Sequence, residues 1–157
     1  MIIDHPTAFD MAEMGGGSVY GTLAHNALYR GGDTGNDSAM LLHSYGNNDD
    51  NDDDNDESKS KRIECGAMIG MSGIYEGGLS DAMDLVDGGL VDPEWFKFFF
   101  NYVEFTDKQM ESMLSEVDSD GDAWASMEVP TKVVLNNDFD RGECWSYLRN
   151  QMRQMLA

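Results

Sequence analysis

The sequence DPEWFKFFFNYVEF, residues 92–105, holds seven aromatic side chains in fourteen positions. Asp92 followed by Pro93 is typical of a helix start, because Asp caps free backbone amides and Pro is tolerated at the first helical position. The polar residues recur at spacings that place them on one narrow helical stripe: Glu94, Lys97, Asn101 and Glu104. We therefore predict a helix of about twelve residues that is buried on most sides or lies against a partner. A homodimer formed through this helix, residues 95–105, is one such arrangement.

The surroundings of this stretch are strongly acidic. Residues 63–129 contain fifteen Asp and Glu against two Lys, a net charge of -13 out of -20 for the 157-residue chain. These acids alternate with aromatic and aliphatic residues, so we expect them on the surface of a folded structure. Such a surface repels DNA, RNA and anionic membranes, and it attracts cations and basic proteins.

The stretch NNDDNDDDNDE, residues 47–57, has no apolar residue and is followed by the basic residues Lys59, Lys61 and Arg62. A segment of this composition cannot bury enough surface to offset its ordering entropy. We predict that residues 47–62 form a disordered linker within a single domain. Residues 1–46 are the N-terminal part of that domain, with no clear secondary-structure pattern, and residues 63–157 are its helix-rich acidic core region.

Four further patterns predict elements after residue 63. Ser80 suits the N-cap of a short helix that ends before two glycines, and Thr106 with Gln109 forms a capping box that opens another helix. TKVVL, residues 131–135, is typical of a short strand, and a last helix begins near Arg141. The predicted fold class is α+β, mainly helical in the C-terminal two-thirds and with little β-structure.

Acids at this density destabilise the compact state, which indicates a use for them. Asp81, Asp84 and Asp87 recur every three residues, about 4.5 Å of axial rise on a helix. In charge and size the chain resembles the small acidic phage proteins that inhibit restriction, repair or CRISPR enzymes by imitating nucleic acid. We predict an acidic binding protein of this type, whose partner is the basic surface of a nucleic-acid-binding protein. The predicted partner-binding residues are Asp81, Asp84, Asp87, Glu94, Glu104, Asp107, Glu111 and Glu116.

A second interpretation concerns Asp118, Asp120 and Asp122, which alternate directly after the predicted third helix. Calcium prefers several hard oxygen ligands around one point. Residues 105–129 resemble an EF-hand, which would make the three Asp side chains and the Trp124 backbone carbonyl calcium ligands. The sequence departs from that family at loop positions 6 and 12, where Ala123 and Val129 replace the expected Gly and Glu, and Pro130 interrupts the exiting helix. The alternative function is therefore a calcium-binding regulatory protein.

Catalytic motifs are missing from the sequence, so we expect no enzyme and no obligatory cofactor. The three histidines stand in no metalloprotease pattern, and Gly15, Gly16 and Gly17 lack the Lys of a phosphate-binding loop. Two isolated cysteines and an N-terminus without a basic and apolar leader are typical of a cytoplasmic protein. A third interpretation remains open, an oligomeric accessory protein whose charge serves only solubility.

Overall fold

The computed structural model describes residues 5–14, 17–46, 63–64, 66–115, 124, 126–137 and 143–155. In these residues, six strands form one sheet: β1 Pro6–Asp10, β2 Ala27–Arg30, β3 Thr34–His43, β4 Gly66–Met68, β5 Tyr75–Gly77 and β6 Lys97–Tyr102. The helices are α1 Met11–Met14, α2 Leu79–Asp87, α3 Asp107–Ser115, α4 Thr131–Leu135 and α5 Glu143–Met155. Two 3-10 turns cover Thr22–His25 and Pro93–Trp95.

The strand order is β1-β2-β6-β3-β5-β4. β2 and β6 pair in parallel, and the other neighbours pair antiparallel. The fold is therefore α+β, but the prediction that it is mainly helical is wrong. Three strands come from residues 1–46 and three from residues 63–157, so both predicted parts of the domain build the same sheet. The predicted linker, residues 47–62, lies outside the described residues.

The predicted helix over residues 95–105 is also wrong, because its centre is β6. The Asp92 side chain does cap a turn by accepting a hydrogen bond from the Glu94 amide (2.9 Å), but this 3-10 turn ends at Trp95. β6 then pairs on both edges, with β2 and with β3. A strand covered on both faces is apolar at successive positions, and a short apolar run of this kind does not distinguish helix from strand. The helix proposed for a homodimer contact is thus the interior of the sheet.

The two faces of β6 belong to two core clusters. Phe98 packs in a cluster with residues of α2 and of the Thr22–His25 turn, while Phe99 packs on the other face with Tyr29 and with Leu135 from α4. Both phenylalanines are at most 2% exposed. The sheet thus has helical segments on both faces. β6 has more buried residues than any other strand of the sheet, four of its six.

Other predicted elements had mixed outcomes. The helix near Ser80 is confirmed as α2, although Gly78 and not Ser80 holds the N-cap position. The capping box is confirmed: the Thr106 amide donates to Gln109 Oε1 (2.8 Å) and the Gln109 amide donates to Thr106 Oγ1 (3.3 Å). The strand predicted for residues 131–135 is wrong, since this segment is α4. A five-residue segment that follows Pro and ends in three apolar residues fits the first turn of a helix as well as a strand, and packing on the sheet decides.

Candidate functional site

Helix α2 carries the first group of predicted partner-binding residues. Asp84 and Asp87 are exposed and Asp81 is partly buried. Asp87 has a structural task, because its Oδ1 accepts a hydrogen bond from the Thr22 amide (3.0 Å) at the start of the Thr22–His25 turn. Of these three acids, Asp84 is therefore the one that is exposed and makes no such hydrogen bond to the described residues.

Helix α3 carries the second group and differs from α2 in its burial. None of its residues is buried, and only Met113 is partly covered. Asp107 and Glu111, four residues apart, lie on one side of the helix, and the exposed Glu104 lies just before it. Met110 and Leu114 form an adjacent stripe and are 41% and 47% exposed. This face of α3 thus combines carboxylates with uncovered apolar side chains.

The predicted acidic residues do not form one continuous array. Glu94 lies in the turn that precedes β6 and Glu104 follows the strand, and a strand of six residues spans about 17 Å. Glu94 is therefore separate from the group formed by Glu104, Asp107 and Glu111, and the acids of α2 lie on a different helix from that group. Glu116 lies outside the described residues.

The acids of both groups are not neutralised by ion pairs within the described part of the chain. The one ion pair seen there joins Arg30 and Asp33 and includes none of these acids. It lies at the end of β6 that leads to Glu104, since the neighbouring Thr34 pairs with the last residue of that strand. The basic Lys97 is turned into the core and does not compensate surface charge. The negative charge of the two groups is therefore available to solvent and to partners.

The predicted calcium ligands Asp118, Asp120 and Asp122 lie outside the described residues. Trp124 is described and is 63% exposed. The helix that precedes the loop is present as α3, whereas residues 126–130 are not helical. In the described ranges, no three His, Cys, Asp or Glu side chains come together as a metal site would require. The calcium loop stays a prediction.

Lys97 is buried, although the sequence pattern placed it on the polar stripe of a helix. It is 1% exposed, and its Nζ donates to the carbonyl oxygens of Val134 (3.2 Å) and Asn136 (3.0 Å). The ammonium also lies 4.1 Å from the centre of the Tyr29 ring. A buried ammonium needs such oxygen and aromatic partners. Lys97 thereby fixes the end of α4 to the sheet.

His43 is a second buried polar residue, at the end of β3. Its Nδ1 accepts from the Tyr45 amide (3.1 Å), and its Nε2 lies 3.2 Å from the Gly77 carbonyl oxygen, so Nε2 carries the proton of a neutral ring. Burial lowers the pKa of His43, and the hydrogen bond to Gly77 opposes this in part. These contacts give His43 a role in packing β3 against β5.

A cleft lies between the Pro93–Trp95 turn and α4. It has a volume of about 380 Å³ and we name it the α4 cleft; its lining residues are Glu94, Trp95, Lys132, Val133, Asn136, Asn137 and Tyr147. Its two walls are joined by Asn137, whose Nδ2 donates to the carbonyl oxygens of Glu94 (2.8 Å) and Phe96 (3.0 Å). Sequence reasoning assigned Glu94 to partner binding and missed the other residues, because they come from three separate segments with no shared motif.

No protein-family model matches the chain, and no curated protein matches it in sequence. Among solved structures, its fold is similar to the solution structure of the AlgH protein from Pseudomonas aeruginosa, a UPF0301 protein, with a TM-score of 0.61. The two are 16% identical, and the match covers 97% of this chain and 70% of AlgH. The likeness is one of fold alone. In the described residues, no helix has the length and hydropathy needed to cross a bilayer.

Proposed function

We propose that the protein is an acidic binding protein that covers the basic nucleic-acid-binding surface of another protein. The observation that carries this proposal is α3, a helix without a buried residue whose carboxylates have no ion-pair partner among the described residues. A helix whose only role is structural packs an apolar stripe of side chains against the core. α3 instead leaves Met110 and Leu114 in solvent beside Asp107 and Glu111.

The charge spacing on α2 also supports the proposal. Its three carboxylates recur at about 4.5 Å of axial rise, against about 3.4 Å of axis per phosphate in one strand of B-DNA. Since Asp87 also caps a turn, we assign the larger share of binding to the group around α3. A partner for that group has basic side chains next to an apolar patch.

The experiment that tests this function compares two variants with equal charge change. In the first, Glu104→Gln, Asp107→Asn and Glu111→Gln neutralise the α3 group. In the control, Glu64→Gln, Glu76→Gln and Glu128→Gln neutralise three exposed acids elsewhere. The immobilised full chain is used to capture nucleic-acid-binding proteins, and each captured protein is then tested for displacement of its DNA or RNA by the free chain.

We expect the α3 variant to lose at least about tenfold in affinity and the control less than about twofold. Binding weakens with salt, because exposed charges are screened, and it is unchanged by a calcium chelator. Equal losses of affinity in the two variants would mean that binding depends on the total charge of the chain and not on the α3 group. A captured protein that keeps its nucleic acid in the presence of this chain would contradict the blocking function.

A further inference from the structure

We propose that the α4 cleft binds a small organic ammonium ion. This site is separate from the α3 group and does not depend on the function proposed above. The cleft volume of about 380 Å³ falls in the range of small-molecule sites, about 300–1,000 Å³. It is large enough for one ring with a short amine.

The walls of the cleft are held in place before any ligand enters. On one side, Lys97 Nζ binds the carbonyl oxygens of Val134 and Asn136 from within the core. On the other side, Asn137 Nδ2 joins α4 to the backbone of Glu94 and Phe96. Preorganised walls reduce the ordering cost of binding.

Asn137 also offers an acceptor that the fold does not use. Its two Nδ2 hydrogen bonds fix which end of the amide is oxygen. Its Oδ1 is buried and has no hydrogen-bond partner among the described residues. A buried acceptor without a donor is unfavourable, and a positive charge bound nearby partly offsets that cost without contacting the oxygen.

The other lining groups favour a positive charge on that ligand. Glu94 is exposed and supplies a carboxylate, and the rings of Trp95 and Tyr147, 40% and 38% exposed, have faces that attract cations. The chain's net charge of -20 adds a field that repels anions. Among the described residues that line the cleft, Lys132 is the one basic residue. Its charge opposes any bound cation and offsets part of the attraction of Glu94, so the preference for an ammonium depends also on the two rings and on the field of the chain.

The test uses benzylammonium as the probe, with the neutral benzyl alcohol and the anionic benzoate as comparisons. The full chain is titrated while the indole N–H of Trp95 is followed by NMR and identified by its loss in Trp95→Phe. Glu94→Gln removes the carboxylate of the cleft, and Glu76→Gln removes one equal, exposed charge on β5 as a matched control. Unchanged signals elsewhere establish that each variant is folded.

We expect saturable binding of benzylammonium, with benzyl alcohol and benzoate at least about tenfold weaker. Glu94→Gln lowers the affinity about tenfold and Glu76→Gln less than about twofold. The proposal is overturned if benzyl alcohol binds as tightly as benzylammonium, if the two variants lose affinity equally, or if the Trp95 signal does not saturate.

Discussion

The strand β6 and the helix α3 follow one another in the chain, and both carry large apolar side chains, but these side chains differ in how far they are buried. Phe98 and Phe99 of β6 are 2% and 0% exposed, while Met110 and Leu114 of α3 are 41% and 47% exposed. β6 has hydrogen-bonded neighbours on both edges and core clusters on both faces. α3 has no comparable cover in the described residues. Apolar content therefore does not decide burial in this protein; the position in the fold does.

This contrast assigns different tasks to the two segments. Substitutions in β6 act on stability, because they create cavities or leave polar groups unpaired in a packed interior. Substitutions on α3 act on binding, because its side chains already contact solvent. Two paired experiments on β6 and α3 test this division, and two further pairs extend the comparison of a bonded or buried side chain with an exposed one to other elements.

The largest effect is expected for Phe99→Ala. Truncating a buried phenylalanine removes transfer free energy and leaves a cavity, so we expect a loss of about 3–5 kcal/mol in the free energy of unfolding. Leu114→Ala, also a truncation of a large apolar side chain, is expected to change it by less than about 0.5 kcal/mol. Urea unfolding measures both. Similar losses in the two variants would mean that α3 is buried in solution.

The second pair compares two lysines. Lys97→Met leaves the carbonyl oxygens of Val134 and Asn136 without their donor, and we expect a loss of about 1–3 kcal/mol in the free energy of unfolding. Lys108→Met on the exposed surface of α3 is expected to cost less than about 0.5 kcal/mol. Both variants change the net charge equally. A stable Lys97→Met variant would show that the buried ammonium is replaceable by packing alone.

The third pair lies on α2 and separates capping from surface charge. Asp87→Ala removes the acceptor of the Thr22 amide, and loss of such a cap costs about 1 kcal/mol. Asp84→Ala removes an equally charged, exposed side chain and is expected to be close to neutral. Thermal unfolding at one salt concentration measures the difference. If the two variants have the same unfolding temperature, the hydrogen bond between Asp87 and the Thr22 amide contributes nothing to stability.

The smallest effect concerns pH. Burial lowers the pKa of His43 below 6.5, so between that lowered value and 6.5 the unfolded chain binds more protons than the folded one. The contribution of His43 is therefore fully present above its unfolded pKa and is lost as the pH falls towards the folded pKa. We expect His43→Gln to flatten the dependence of unfolding free energy on pH between about 7.5 and 5.5. His25→Gln, at an exposed site, is the control, and an unchanged slope in His43→Gln would contradict the assignment.

Local signals in the sequence were sufficient for several elements. The reciprocal hydrogen bonds of Thr106 and Gln109 and the Asp92 cap depend on neighbouring residues, and both were predicted. The residues of the α4 cleft were not, apart from Glu94. Tyr147 and Asn137 belong to segments that meet only through packing, and no spacing in the chain relates them.

The sequence by itself determined where charge lies, the capping box that opens α3 and that the described acids of residues 63–129 are exposed, apart from the partly buried Asp81. These properties depend on side-chain chemistry and on hydrogen bonds across a few residues. The tertiary structure alone decided that residues 97–102 form the inner strand of a sheet and residues 131–135 a helix. Short apolar runs satisfy both geometries equally, so residues 97–102 become a strand through pairing with β2 and β3, and residues 131–135 take their place by packing Leu135 on the sheet.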